Sequence, residues 1–177
     1  MQKNKTSAKN KKPSIVIKIA RPKDRTILIR MFHHLLNFLD RFEHDMVPTK
    51  KNAEFMTDTF FMPAAARQEA ILIAWDGSKP IGALFWPIQH HTYQMRWVTA
   101  YGYGTYLEEG YRGKKISRLL FQEAIKISKE KGVQRIIGFT LLENKRAQKV
   151  TEKTGFQCFG KMVFLGTEKY NPFDILF

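Results

Sequence analysis

Apolar residues along this chain recur in two rhythms, and each rhythm predicts an element. "SIVIKIA", residues 14 to 20, alternates well enough to be a first strand. In "RPKDRTILIRMFHHLLNFLD" Ile27, Met31, Leu35 and Phe38 fall three and four apart, the spacing of one helical face. Asp24 stands where a helix N-terminus favours an anion. "TKKNAEFMTDTFFM" predicts a second helix that ends before Pro63, because the residue ahead of a proline is pushed out of helical dihedrals.

The rhythm then shortens. "AILIAW" and "PIGALFWPI" are strand-like runs joined by Asp76-Gly77-Ser78-Lys79, a hairpin signal, and "MRWVTAYGYGTYL" reads as a third long strand of the same sheet, bent or bulged at Gly102 or Gly104. From Ile116 the apolar positions 116, 119, 120, 124 and 127 trace a helical face that closes before Gly132. "VQRIIGFTLL" follows as a strand and "NKRAQKVTEKT" as a short helix, with Asn144 as N-cap, Gly155 as a left-handed stop and Phe156 folding back. Strand, helices, three antiparallel strands, helix, strand, helix and strands predict an α/β (α+β) fold: a mixed, mostly antiparallel central sheet flanked by helices.

Composition adds limits. The 177 residues suit one domain, with 14 Phe to build its core. The lysine-rich opening, residues 1–13, cannot bury apolar surface and is expected to be a disordered basic tail, leaving residues 14–177 as a single domain. The formal charge is +14, and five lysines of the tail leave +9 on the rest. Such a balance favours acidic partners: nucleic acid, an anionic surface or a phosphorylated small molecule. A lone Cys158 forms no internal disulfide, and no apolar run is long enough to span a bilayer, so a cytoplasmic protein without a membrane partner is expected.

The chemistry gathers in "YLEEGYRGKKISRLLFQEA", residues 106 to 124, where a strand turns into a helix. Unpaired N–H groups and the positive end of the helix dipole meet the charges of Arg112, Lys114, Lys115 and Arg118, the makings of a phosphate site; a solvated basic turn is the plainer alternative. "YLEEGYRGKKISRLL" followed by "ENKRAQKVTEKTGF" resembles the paired signatures of the GNAT superfamily of N-acetyltransferases, over residues 70 to 165. The resemblance implies acetyl-CoA as cosubstrate, a strand that meets its pantetheine arm and an R-x-x-G-x-G/A turn around its pyrophosphate. It implies coenzyme contacts from Tyr106 and Leu107, from Arg112, Gly113, Lys114, Lys115, Ile116 and Ser117, and from Asn144, with Ala147 and Gly155-Phe156 completing the second signature.

Three departures stand out. Lys115 replaces the first expected glycine and Ser117 the expected Gly or Ala, and neither needs a left-handed backbone if the helix has already begun. Thr151 stands where many members carry a tyrosine that protonates the leaving thiolate, and its hydroxyl is far less acidic. The implied reaction is attack of a neutral amine on the thioester carbonyl, with a backbone N–H near Leu107 holding the carbonyl oxygen. Glu108 and Tyr103 are the candidate catalytic groups, ahead of Tyr101 and Glu109, although strand tyrosines usually pack and loop glutamates are usually solvated.

The pairs His33-His34 and His90-His91 point apart and find no spaced third ligand, so no metal is expected. Trp86, Trp97, Phe85 and Tyr93 suit either core packing or an acceptor pocket, and the apolar closing "NPFDILF" suits docking on its own sheet or a homodimer. The acceptor stays open between a small-molecule or protein amine and a nucleic-acid-linked amine. Thr151 and the missing strand glutamate also leave room for a catalytically silent acyl-CoA-binding module.

Overall fold

The computed structural model describes residues 14–41, 47–89, 98–141 and 143–157. The expected basic tail, His90, His91, Tyr93, Trp97, Cys158 and the closing NPFDILF lie outside them. Strand β1 (Ile15–Ile19) is followed by helix α1 (Arg25–Leu39), α2 (Lys50–Met56), a π turn (Thr57–Phe61) and α3 (Met62–Ala66). Next come β2 (Ala70–Asp76), β3 (Lys79–Trp86), β4 (Ile88–Gln89), β5 (Thr99–Gly102) and β6 (Gly104–Leu107). Helix α4 (Ile116–Glu130), β7 (Arg135–Gly138) and α5 (Lys145–Lys153) complete the described order.

The fold is mixed α/β, with an antiparallel sheet β1-β2-β3-β6 flanked by helices. Alternation along β2 explains why its sequence is apolar throughout: Ile71 and Ile73 face α1–α3, while Ala70, Leu72 and Ala74 face α4. The β2–β3 hairpin closes through Gly77-Ser78, with Asp76 opposite Lys79 and Gly77 at φ +59°, as the sequence predicts.

Four expectations are corrected. The long strand through residues 95–107 is, where described, two strands in two sheets: β6 pairs with β3, whereas β5 pairs with β4 and, in parallel, with β7. The two strands part at Tyr103, between two glycines that let the chain pass close to other side chains. A Cβ on Gly102 would stand 2.6 Å from Trp86 Nε1, and one on Gly104, at φ +134°, would stand 2.8 Å from Leu35 Cδ2. Second, the helix does not end before Pro63. The residues ahead of it widen into the π turn, where Met62 N–H bonds Thr57 C=O, so the ring that would crowd an α-helical carbonyl is accommodated.

Third, Leu119 is exposed on α4, and Phe121 takes its place on the buried face beside Ile116, Leu120, Ala124 and Ile127. Fourth, among the described residues 133–141 of the strand predicted over 133–142, only the four of β7 form strand, because those pair with β5. Helix α5 follows its sequence signals. Asn144 Oδ1 accepts from Ala147 N–H at 3.1 Å, Gly155 is left-handed at φ +93°, and Phe156 returns to pack edge-on against Trp86.

Candidate active site

Where β5 and β6 part, one edge of β6 has no strand beside it among the described residues. Glu108 N–H bonds Ile81 C=O at 2.9 Å, and antiparallel pairing alternates, so Tyr106 also faces β3 while the backbone of Thr105 and Leu107 faces the open side. Thr105 Oγ1, like Thr57 Oγ1 and Ser128 Oγ, is buried without a hydrogen-bond partner among the described residues. Native proteins seldom leave such an atom unused.

At the end of β6 the chain makes a 3₁₀ turn over Glu109–Tyr111 and enters α4 through Arg112-Gly113-Lys114-Lys115. Gly113 has φ +81° and Lys115 has φ +63°. The expectation that position 115 needs no left-handed backbone is therefore overturned: the residue precedes the helix as its N-cap, and the reversal into α4 takes place there. None of the backbone N–H groups from Gly113 to Arg118 has a backbone acceptor among the described residues. Six donors crowd one helix start, with Lys114, Lys115 and Arg118 exposed around them.

The side chains of this region divide their work. Arg112 Nε donates to Leu107 C=O at 3.0 Å, and its guanidinium lies 5.9 Å from the centre of the Phe38 ring, so it ties turn to strand and helix α1. Ile116 is buried and anchors the helix start by its side chain. Ser117 is half-buried in the first turn. Asn144 spends its side chain on capping α5. Thr151 Oγ1 donates to its own helix, with Gln148 C=O at 2.9 Å, and so has the bonding of a structural hydroxyl.

The two candidate catalytic groups are not brought together. Glu108 lies at the turn end of β6, where Tyr106 hydroxyl donates to Glu108 Oε2 at 3.3 Å and Arg30 Nη2 lies 3.9 Å from Oε1. The Tyr106 ring stacks on His34 at 5.5 Å, and burial, with help from the Glu108 charge, pushes its phenol up. Tyr103 sits five extended residues away, about 16 Å along the chain, at the strand break. Burial, followed by neighbouring Tyr101, raises its phenol too. A phenol whose pKa is raised stays protonated and is a weaker acid, so what it offers is an O–H for a hydrogen bond.

Sequence reasoning missed Thr105, Arg30 and Phe60, which stacks on Tyr103 at 6.3 Å. Only Phe60 left a signal, an aromatic pair just ahead of Pro63. Trp86 and Phe85 are buried in the core, the plainer of the two readings given for them. His33 Nε2 lies 2.9 Å from Pro48 C=O, and no group of three potential metal ligands occurs among the described residues.

An open-edged strand running into a donor-rich helix start can hold an extended ligand that ends in phosphates. The model of the Acetyltransferase (GNAT) family matches residues 32–156, and the chain belongs to that family. Among solved structures, the aminoglycoside N-acetyltransferase AAC(6')-Iy in complex with CoA is similar at TM-score 0.65 and 14% identity, over 89% of this chain and 97% of that one. An aminoglycoside acetyltransferase from a soil metagenomic sample, in complex with sisomicin, is similar at 0.63 and 16%, over 86% and 95%. A transcriptional regulator from Bacillus halodurans is similar at 0.63 and 20%, over 86% and 99%. At these identities the likeness is one of fold. No curated protein matches the chain.

Proposed function

We propose that the protein is an acetyl-CoA-dependent N-acetyltransferase that moves an acetyl group to a primary amine by direct attack in a ternary complex. The observation that carries this reading is the set of six N–H groups at Gly113–Arg118 with no backbone acceptor among the described residues, at the end of the open-edged β6. Donors in that arrangement fit a pyrophosphate, and the cations of Lys114, Lys115 and Arg118 match its charge. Along β6, the backbone of Thr105 and the N–H of Leu107 fit the amides of a pantetheine arm, with Leu107 C=O held by Arg112.

The coenzyme has its phosphates at one end and its thioester at the other. With the phosphates at the turn, the acetyl group belongs toward the strand break. Tyr103 then stands at the reacting end as a hydrogen-bond donor toward the thioester or the departing sulfur, and Glu108 stands at the phosphate end, where with Tyr106 it holds Arg30. This moves the N–H that steadies the carbonyl oxygen from Leu107 toward Thr105. The amine nitrogen forms its bond to the carbonyl carbon, the C–S bond breaks, and the proton lost by nitrogen ends on the CoA thiol. Most of the rate enhancement comes from positioning.

Acetyl-CoA at a hundred times its Kd should stabilise the fold by about 2.7 kcal/mol, since it binds the folded state alone. Lys115→Ala combined with Arg118→Ala should remove most of the corresponding rise in melting temperature. An unchanged rise in the double variant would refute the pyrophosphate assignment. Thiol release with a panel of primary amines distinguishes the enzyme from a silent acyl-CoA-binding module, which would show the thermal shift and no release.

A further inference from the structure

Beside the strand break a run of aromatic rings leads from solvent to Tyr103. Phe55, 43% exposed, meets Phe60 edge-on at 6.3 Å. Phe60 stacks on Tyr103 at 6.3 Å with the rings tilted by 29°, and the fully buried Phe61 meets Tyr103 edge-on at 5.7 Å. The π turn makes this possible: its extra residue per turn lets Phe60 reach the strand break while Phe61 enters the core. Such turns are less stable than α-helix and gather at functional sites.

The acids of the same segment are already matched. Asp58 takes both nitrogens of a bidentate contact from Arg25 at 2.7 Å, and Glu54 lies 3.5 Å from Lys50. A polycationic acceptor is favoured by unmatched carboxylates along its length, and among the described residues of this segment the wall is made of rings instead. Ring faces attract a single ammonium through the quadrupole and an apolar body by burial.

We infer that Phe55, Phe60 and Tyr103 form the acceptor wall, and that the acceptor is a monoamine with an aromatic or branched apolar body rather than a polyamine or amino-sugar. The inference rests on the acetyltransferase reading and on the acetyl group lying at the strand break. The bound ammonium gives a proton to solvent, and the neutral nitrogen then attacks the thioester as above.

The test uses the full chain with phenethylamine, spermidine and sisomicin, following both thiol release with acetyl-CoA and calorimetric binding of each amine in the presence of CoA. Phenethylamine is expected to bind and to show a KM at least tenfold below the other two. Phe60→Leu keeps apolar volume but loses the ring, and should raise that KM about fivefold with kcat little changed, the size of one lost ring–cation contact. Preference for spermidine or sisomicin, or a Phe60→Leu variant with unaltered KM, overturns the inference. So does a protein that acetyl-CoA stabilises but that binds no phenethylamine, an outcome that leaves the coenzyme site standing. Failure of acetyl-CoA to stabilise the protein overturns both readings together.

Discussion

Lys115 holds the turn into α4 in a conformation that costs a side-chain-bearing residue about 1–2 kcal/mol, with φ at +63°. Retaining a lysine there makes sense if its charge is used at the helix start. Two substitutions separate strain from charge. Lys115→Gly and Lys115→Ala both delete the ammonium, but only glycine relieves the left-handed backbone, so the Gly variant should be more stable than the Ala variant by about 1 kcal/mol in urea unfolding. Both should weaken acetyl-CoA binding to a similar degree. Equal unfolding midpoints would mean that the backbone at 115 is not strained. The sequence marked position 115 as a departure from the family pattern but could not show its dihedral, because that depends on where the helix begins.

At the scale of elements, the open edge of β6 depends on how closely β3 carries it. Gly82 faces Leu107 across the pair, and a Cβ there would stand 2.7 Å from Tyr106 C=O. A backbone atom yields only if the strand moves. Gly82→Ala should therefore destabilise by about 2 kcal/mol and should also lower the affinity for acetyl-CoA, since the displaced strand carries the Thr105 and Leu107 backbone. Gly77→Ala is the comparison: its Cβ meets nothing within 4 Å, so its left-handed φ of +59° should affect stability alone. Loss of coenzyme affinity in both variants, or in neither, would contradict this account. Helices α1, α4 and α5 were legible from periodicity and caps, since those are local signals. The division of β5 from β6 was not, because it depends on which distant strands each one pairs with.

Across the whole molecule, Glu69 joins the two sheets. It is buried, accepts from Arg67 Nε at 2.6 Å, and accepts through its other oxygen from Ile88 N–H, also at 2.6 Å, where the chain passes from β3 into β4. A buried N–H left without an acceptor costs about 1–3 kcal/mol. Glu69→Ala should lower the melting temperature by roughly 5–10 °C for a chain of this size, with Glu69→Gln falling between it and the parent because the amide oxygen can still accept. A change below about 2 °C on the same scale would show that another group holds the crossing.

By itself the sequence determined the hairpin at Gly77, the caps of α5, the mixed α/β class and the basic turn at the start of α4. Each of these is written in neighbouring residues through periodicity, turn chemistry or a contiguous motif. Tertiary structure alone decided that β6 leaves its outer edge open and that Arg112 ties the turn to β6. It also decided that Glu108 and Tyr103 stand at opposite ends of one strand, and that Phe55, Phe60 and Tyr103 share a wall. Those facts depend on which distant side chains meet, and a two-residue periodicity is the same whether a strand keeps its neighbour or parts from it.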